Sequence, residues 1–308
     1  MALPWDEPSW LDEIIAWTAA NARLTGPVQV VHRRAWSALL LAPTTGGALF
    51  VKATAPSSRH EVGLTQLLAA YEPGLTVELV AADVERGWLL MHDAGEPLRD
   101  RLERDDDLAA VERLYRRYGE LQRDLSDRAE LLLALGTPDR RLARIPELAA
   151  TVGADPSLVG QLVAATRVCP LPDTLVHEEI HDGNLVVRRT DSRDDLVIID
   201  WADSCVGHPF FGVVVGLRSL GDRLGLEPGA PALQRLVDSY LGAWTDLAPV
   251  EELRAVFAPA YRLGMLNRAL SWSVWDEGFD DATRAEYGHY ADAWLQEFTE
   301  AENPLPGT

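Results

Sequence analysis

The feature that most constrains the fold is a change of hydrophobic pattern near residue 95. Before it, short runs of apolar and β-branched residues are separated by turn-forming residues, as at 43–47 (Pro-Thr-Thr-Gly-Gly), which predicts strands joined by tight turns. After it, apolar residues recur at helical spacing over long stretches, which predicts amphipathic helices. The sequence therefore predicts an α+β fold with a small N-terminal part built on an antiparallel sheet and a larger, mainly helical C-terminal part.

The same patterns place the individual elements. The predicted strands are 28–31, 38–41, 48–52, 76–82, 87–91, 185–187 and 196–199. The predicted helices are 10–22, 59–71, 99–124, 127–135, 156–167, 230–245, 250–270 and 282–300.

Charge and composition exclude several classes of protein. The 308 residues contain 28 Lys and Arg against 48 Asp and Glu, and the net charge of -20 disfavours nucleic-acid binding through a basic face. The apolar runs are far shorter than the roughly 20 residues of a membrane span, and the acidic residues 1–7 lack the basic start of a signal peptide. Cys169 and Cys205 lack metal-ligand spacing and are predicted to be buried thiols. We therefore expect a cytoplasmic protein that binds neither nucleic acid nor membrane.

Lysine occurs only once in the chain, as Lys52 in a predicted strand, and every other basic residue is arginine. Lysine offers a compact ammonium group where arginine offers a wide planar fork. The single lysine is either an accident of composition or the mark of a site that needs a point charge.

The densest polar cluster is the segment His177-Glu178-Glu179-Ile180-His181-Asp182-Gly183-Asn184, and Asp200 follows sixteen residues after Asn184. Carboxylates and an amide at the ends of adjacent short strands can converge on one point. Hard oxygen ligands of this kind suit Mg²⁺, which also binds the phosphates of a substrate.

Two other interpretations of this cluster remain open. His177 and His181 have the i, i+4 spacing of helical zinc ligands, but Gly183 and the strand after it argue against a helix, and the glutamates do not fit the HExxH pattern. A purely structural polar loop, with both histidines hydrogen-bonded to the backbone, is the second alternative.

The cluster resembles the catalytic loop of the aminoglycoside phosphotransferase and choline kinase-like family, which has the protein-kinase-like fold. The usual form of that loop is H-G-D-x-H-x-x-N, followed by a strand hairpin and I-D-W or I-D-F. In this sequence the hairpin leads to Ile199-Asp200-Trp201. The resemblance implies a bilobal fold, with an N-terminal nucleotide-binding lobe at 1–95, a hinge at about 91–96 and a C-terminal lobe at 96–308.

The resemblance also implies transfer of the γ-phosphoryl group of ATP or GTP to an alcohol. Lys52 is then expected to hold the α- and β-phosphates and Glu61 to orient Lys52 by an ion pair. Asn184 and Asp200 are expected to bind Mg²⁺, and His177 to brace the loop rather than act as a base. For Glu61 the alternative is a solvated carboxylate at the start of a helix, which the helix dipole favours.

Further nucleotide contacts are expected from the hinge and from the loop at 33–37. The backbone around Met91, His92 and Ala94 would receive the adenine edge. The loop at 33–37 (Arg-Arg-Ala-Trp-Ser) stands where relatives cover the phosphates, and it contains no glycine. Its N–H groups and the Ser37 hydroxyl could cap phosphates, or it is a plain basic turn.

The catalytic aspartate of the family is Glu179 in this chain. The extra methylene moves the carboxylate by about one bond length, and a misplacement of about 1 Å can cost about 10²-fold in rate. Glu179 can still accept the proton of the substrate hydroxyl, because Glu and Asp have similar intrinsic pKa values. Glu178 and Asp182 are further candidates for this role.

The acceptor site is expected in the C-terminal helical region. The segment 272–281 combines aromatic and acidic residues, and Trp275, Asp276 and Glu277, with Asp203 after the metal aspartate, are the candidate acceptor-binding residues. Carboxylates suit a polyamine such as an aminoglycoside, and aromatic faces suit cations or sugar rings. A loop on an acidic surface is the alternative.

The sequence is therefore interpreted as that of an ATP-dependent small-molecule O-phosphotransferase that uses Mg²⁺ and acts on an antibiotic or another polar alcohol. A metabolic kinase for a sugar, an amino alcohol or a homoserine-like acceptor is an alternative of the same class. A catalytically silent nucleotide-binding or scaffold protein is an alternative of another class, which Glu179 keeps open. The sequence does not decide between ATP and GTP, and it leaves the oligomeric state open.

Overall fold

The computed structural model describes residues 3–102, 105–189, 194–227 and 229–301, with the backbone alone for 105–107, 189, 194 and 276–278. The strands are β1 Gln29–Arg33, β2 Ser37–Thr44, β3 Gly47–Thr54, β4 Leu79–Asp83, β5 Trp88–His92, β6 Glu96–Pro97, β7 Asp139–Arg140, β8 Thr174–Val176, β9 Leu185–Arg189, β10 Asp194–Ile198 and β11 Cys205–Gly207. The helices are α1 Trp10–Asn21, α2 His60–Tyr71, α3 Asp105–Asp124, α4 Ala129–Ala134, α5 Ile145–Thr151, α6 Pro156–Thr166, α7 Val214–Leu224, α8 Pro231–Leu241, α9 Val250–Gly278, α10 Asp281–Tyr287 and α11 His289–Glu300.

The N-terminal part is a five-stranded antiparallel sheet with the strand order β1-β2-β3-β5-β4. Strands β2 and β3 form a hairpin in which Thr44 pairs with Gly47, and the Thr44 hydroxyl donates a 2.7 Å hydrogen bond to the Gly47 carbonyl. Gly47 has a φ of +111°, which glycine adopts without the steric cost that a side chain brings. The predicted antiparallel sheet and the predicted turn at 43–47 are confirmed.

The alternation of side chains along β3 determines which residues pack against α1 and which face the cavity. Leu49, Val51 and Ala53 are buried in a hydrophobic cluster with Trp10 and Ile14 of α1 on one face. Because successive strand residues point to opposite faces, Phe50 and Lys52 lie on the other face. That face lines the cavity described below.

Two small sheets support the polar segments of the C-terminal part. One has the order β10-β9-β6, in which the predicted hairpin of β9 and β10 is antiparallel and Leu185 pairs with Ile198. The other has the order β7-β11-β8. The segment 177–184 connects β8 to β9 and the segment 199–204 connects β10 to β11, so the two sheets present these segments side by side.

A second, larger hydrophobic cluster is centred on α3, α8 and α9, with buried aromatic residues such as Tyr118, Tyr240 and Trp244. Leu64 and Leu68 of α2 belong to this cluster, although they precede residue 95 in the sequence. The hydrophobic core is therefore not divided at residue 95, and the lobe boundaries at 1–95 and 96–308 stay a prediction.

Helix bounds in the C-terminal part differ from the expectation in several places. The helix predicted at 99–124 is α3 from Asp105, and those predicted at 127–135 and 230–245 are the shorter helices α4 and α8, each next to a single 3-10 turn. The helix predicted at 250–270 continues as α9 to Gly278, and the one predicted at 282–300 is two helices, α10 and α11, that meet at Gly288. Helices α5 and α7 were not predicted, because α5 is short and α7 follows a run of valines and contains two glycines. Within the described ranges, no helix combines the length and the apolar character that crossing a membrane requires.

Candidate active site

A cavity of about 760 Å³ lies between the sheet face that carries Lys52 and the helical part of the molecule. It brings together predicted site residues that are far apart in the sequence. Those that line it are Ser37, Lys52, Glu61, Met91, His92, Ala94, Glu179, Asn184, Asp200, Asp203 and Trp275. Asp276 and Glu277 lie near the end of α9, and their side chains are outside the described part of the structure.

Lys52 is the centre of an ion triad at one end of this cavity. Its Nζ atom lies 2.6 Å from Glu61 Oε1 and 2.7 Å from Asp200 Oδ1. Glu61 stands in the first turn of α2, and its Oε1 also accepts a 3.1 Å hydrogen bond from the backbone N–H of Trp201. The Lys52–Glu61–Asp200 triad therefore ties β3, α2 and the segment 199–204 together.

Burial and charge act in opposite directions within the triad. Burial alone would lower the pKa of Lys52, but the carboxylates of Asp200 and Glu61 raise it above its usual value, so the ammonium stays charged. Burial raises the pKa of Glu61 to about 7, against the lowering effect of Lys52. Burial also favours the neutral form of Asp200, but Lys52 outweighs it and lowers the pKa of this carboxyl.

His177 is the first residue of the segment 177–184 and is fully buried. Its Nδ1 atom accepts a 3.2 Å hydrogen bond from the Glu179 N–H, so Nε2 carries the proton and donates to the Ile199 carbonyl at 3.0 Å. Burial lowers the pKa of His177 to about 4, so the ring is neutral near pH 7. This geometry connects the segment of Glu179 to the segment of Asp200.

Asn184 and Asp200 line the same cavity. The Asn184 side-chain amide nitrogen donates to the Glu179 carbonyl at 3.2 Å, and the Ile199 N–H donates to the Asn184 carbonyl at 3.0 Å. A carboxylate and an amide oxygen are hard oxygen ligands of the kind that Mg²⁺ prefers, so these residues fit the ion.

The zinc interpretation finds no support in the geometry. His177 is bonded to two backbone groups, as described above, and His181 Nδ1 accepts a 2.9 Å hydrogen bond from the Gly183 N–H. Over the residues that the structure describes, no group of three or more His, Cys, Asp and Glu side chains is arranged to hold a metal ion.

Glu178 and Asp182, the other candidates for the base, are buried and do not line the cavity. The Glu178 carboxylate accepts a 2.6 Å hydrogen bond from Ser271, and Asp182 accepts one of 2.8 Å from Ser219. Glu178 has a φ of +67°, in the left-handed region that favours glycine, and it stands where the usual form of the loop has glycine. Glu179 is thus the one of the three carboxylates that reaches the cavity.

Arg268 of α9 is the site residue that the sequence analysis missed. It is 97% buried, and its guanidinium forms ion pairs with Glu179 and, at 2.9 Å, with Asp203. Burial raises the pKa of Glu179 above its ordinary value, while Arg268 acts to lower it and Asp203 to raise it. The sequence contains a signal for it. Helical spacing places Arg268 on the same face of α9 as the buried Met265 and the half-buried Trp272, and a charged side chain on a buried face needs a partner of opposite charge.

Aromatic side chains form one side of the cavity. We call this surface the aromatic wall, and its members are Trp36, Trp272, Trp275, Tyr287, Tyr290 and Trp294. Trp272 and Tyr290 are stacked with their ring centres 4.7 Å apart, and Trp36 meets Tyr287 edge-on at 5.0 Å. The loop at 33–37 therefore packs through Trp36 against the C-terminal helices, and Trp275 donates a 2.8 Å hydrogen bond to Asp203.

The two arginines of the loop at 33–37 have different surroundings. Arg34 lines the cavity and its guanidinium lies over the Trp36 ring, whereas Arg33 lies over Trp10 and does not line the cavity. The Arg34 N–H donates a 2.8 Å hydrogen bond to the Ser37 carbonyl, which closes the turn between β1 and β2. Ser37 lines the cavity beside this turn.

Solved structures of low sequence identity share this fold. The ethanolamine kinase of Plasmodium vivax has a TM-score of 0.65 at 12% identity, over 89% of this chain and 82% of the kinase. A macrolide 2′-phosphotransferase of Brachybacterium faecium has a TM-score of 0.55 at 18% identity, over 92% and 98% of the two chains. A spectinomycin phosphotransferase, solved with ADP and spectinomycin, has a TM-score of 0.52 at 10% identity, over 94% and 98%.

A comparison with curated protein sequences finds no match. The model of the phosphotransferase enzyme family, however, matches residues 44–253, which is more than half of the chain. The fold and the site define a small-molecule phosphotransferase of protein-kinase-like architecture that acts on hydroxyl groups. The chain belongs to this phosphotransferase family, so the predicted fold class and family are confirmed.

The triad makes a prediction about stability that does not depend on catalysis. Replacing Lys52 by methionine leaves the buried carboxylate of Glu61, and that of Asp200, without their cation. We expect Lys52→Met to lower the free energy of unfolding by about 3 kcal/mol, measured by chemical denaturation. Arg116→Met, which removes an exposed ion pair with Glu120 on α3, is the control and should cost only about 0.5 kcal/mol. Equal, small losses in both variants would contradict the account of the triad.

Proposed function

We propose that this protein transfers the γ-phosphoryl group of Mg-ATP to the hydroxyl group of a small molecule, with Glu179 as the base. The observation that carries the proposal is that Lys52, Asn184, Asp200 and Glu179 all line one cavity. Phosphoryl transfer depends mainly on positioning and on neutralising charge, and these four side chains supply both.

The nucleotide is proposed to bind beside the sheet. Lys52 would bind the α- and β-phosphates, and its ion pair with Glu61 fixes the direction of its ammonium group. Met91, His92 and Ala94 line the cavity near the proposed hinge together with apolar side chains such as Leu39, and we place the adenine slot between them. Ser37 and the turn that precedes it would approach the terminal phosphates. The boundary between the proposed lobes, near residue 95, runs through this slot.

Asn184 and Asp200 are proposed to hold Mg²⁺ between themselves and the phosphates. The ion would neutralise part of the charge that develops on the transferred group. The role of this chain's own residues is to fix both oxygens in place. His177 does so indirectly, because its two hydrogen bonds connect the segments that carry Glu179 and Asp200.

Glu179 is proposed to accept the proton of the acceptor hydroxyl. The hydroxyl oxygen forms a bond to the γ-phosphorus while the bond from phosphorus to the β–γ bridging oxygen breaks. The proton passes to the Glu179 carboxylate, and ADP leaves with the electron pair of the broken bond. Glu179 and the aromatic wall line the same cavity, and Arg268, which pairs with Glu179, lies over the Trp272 ring of that wall.

The aromatic wall favours an acceptor that has an apolar ring face beside its hydroxyl group. Aromatic rings that face a cavity are suited to flat or apolar surfaces. Arg268 already binds the carboxylates of Glu179 and Asp203, which a cationic acceptor would otherwise use. A polycationic acceptor such as an aminoglycoside is the second candidate, favoured by the net charge of -20.

The catalytic role of Glu179 is tested with a panel of acceptors on the unsubstituted protein and on the variants Glu179→Gln and Glu179→Asp. The panel contains spectinomycin, a macrolide, an aminoglycoside, choline and ethanolamine, and the assay measures phosphate transfer from Mg-ATP. We expect Glu179→Gln to lower kcat by about 10² to 10⁴-fold, because the amide cannot accept the proton. Glu179→Asp retains a base and should keep measurable turnover.

The control for these variants is Glu120→Gln on the surface of α3, which should behave as the unsubstituted protein. Normal turnover in Glu179→Gln would show that another group is the base. An unsubstituted protein that transfers phosphate to no member of the panel and does not hydrolyse Mg-ATP would instead indicate a silent nucleotide-binding or scaffold protein.

The aromatic wall makes a separate prediction about acceptor binding. We expect Trp272→Ala to raise KM for the acceptor by roughly tenfold, because the aromatic wall loses the ring against which Tyr290 stacks, and to leave KM for ATP unchanged. Trp17→Ala is the matched control, because Trp17 packs against Trp88 on the far side of the sheet and does not line the cavity. An unchanged KM for the acceptor in Trp272→Ala would contradict the proposed acceptor surface.

A further inference from the structure

We propose that Arg268 is a positioning residue for catalysis, which holds the carboxylate of Glu179 at the place required for proton transfer and thereby makes a glutamate functional where relatives have aspartate. This inference rests on the proposed role of Glu179 as the base. It goes beyond that role because it assigns the orientation of the base to a residue on α9, 89 positions further along the chain.

The backbone of Glu179 is fixed on both sides. Its N–H donates to His177 Nδ1 at 3.2 Å, and its carbonyl accepts a 3.2 Å hydrogen bond from the Asn184 side chain. From a fixed backbone, the extra methylene of glutamate carries the carboxylate further out and adds one rotatable bond. Without a partner, this carboxylate would sample several rotamers, of which only some face the acceptor.

Arg268 supplies that partner. One end of its guanidinium, Nη2, binds Glu179 Oε1, and the other end, Nη1, binds Asp203 Oδ2 at 2.9 Å. The planar fork of an arginine can hold two carboxylates in one fixed geometry, which a lysine ammonium cannot do in the same way. Arg268 thus fixes Glu179 relative to the segment that follows Asp200.

Besides Glu179 and Asp203, two further groups contact the Arg268 guanidinium. Glu178 Oε2 lies 3.7 Å from its Nη1 atom, and the Trp272 ring lies beneath the guanidinium at 5.5 Å from the ring centre. Asp203 is anchored in turn by the indole N–H of Trp275 at 2.8 Å. Because Trp272 and Trp275 belong to the aromatic wall, the same contacts that fix Glu179 also connect it to the proposed acceptor surface.

The test compares kcat with KM in single and double variants. The reaction is phosphate transfer from Mg-ATP to the panel compound that reacts fastest, or Mg-ATP hydrolysis where none reacts. Arg268→Lys keeps a buried positive charge but lacks the fork. We expect it to lower kcat by about 10- to 100-fold, because Glu179 moves by up to about 1 Å, and to change KM for ATP by less than about twofold.

The control is Arg262→Lys, the same substitution on the same helix. Arg262 donates to the carbonyls of Phe298 and Thr299 and does not line the cavity, so this variant should keep the kcat of the unsubstituted protein. Thermal denaturation of both variants shows whether they are folded. If Arg268→Lys is unfolded, Asp203→Asn is the substitute variant. It retains Arg268 but removes one of its carboxylate partners, and it is expected to give the same fall in kcat.

Double variants separate a positioning role from a structural one. If Arg268 acts through Glu179, adding Arg268→Lys to Glu179→Gln causes no further fall in kcat. Glu179→Asp should lower kcat about tenfold while Arg268 is present. In the Arg268→Lys background, the proteins with glutamate and with aspartate at position 179 should have the same kcat, because the advantage of glutamate comes from the arginine.

Two results would overturn the inference while the proposed function stands. One is a kcat in Arg268→Lys equal to that of the unsubstituted protein, with Glu179→Gln inactive. The other is an equal further loss when Arg268→Lys is added to Glu179→Gln. By contrast, full activity of Glu179→Gln, or no turnover in any protein, overturns the proposed base and the inference together.

Discussion

The interaction on which the rest of the site depends is the ion pairing of Lys52 with Glu61 and Asp200. A single ammonium group, on a side chain that is 9% exposed, joins a strand, a helix and the segment after β10, which approach each other from distant parts of the chain. Removing charges from water is costly, and the arrangement is stable because each charge has a close partner of opposite sign. Lys52 also lines the cavity, so the same interaction holds the structure together and belongs to the nucleotide site that we propose.

A second buried cation, Arg268, organises another group of carboxylates at the same cavity in a similar way. Its guanidinium forms ion pairs with Glu178, Glu179 and Asp203, just as the Lys52 ammonium pairs with Glu61 and Asp200. In a protein with a net charge of -20, these two buried cations hold the carboxylates of the cavity apart and in place. The chemistry that we propose, and the role that we assign to Arg268, both follow from how these carboxylates are distributed between the two cations.

Much of this architecture could be predicted from the sequence, because it depends on local patterns. Alternation along 48–52 places Lys52 on one face of a strand, and the motif from 177 to 184 with Asp200 identifies the polar segments. The rest could be predicted only in part. The aromatic and acidic segment 272–281 indicates an acceptor surface, and helical spacing indicates that Arg268 lies on a buried face of α9. The partners of Arg268 come from the segments 177–184 and 199–204, and further rings of the aromatic wall come from α10, α11 and the loop at 33–37. No local pattern in the sequence encodes contacts between such distant segments.

The proposed function requires that Lys52, Asn184 and Asp200 together form a site for a nucleotide with Mg²⁺. Isothermal titration calorimetry with a non-hydrolysable ATP analogue measures this binding, with and without Mg²⁺, on the unsubstituted protein and on Asp200→Asn. We expect Mg²⁺ to strengthen binding to the unsubstituted protein, and Asp200→Asn to abolish this gain. Binding that is equal with and without Mg²⁺ in both proteins, or no binding at all, would contradict it.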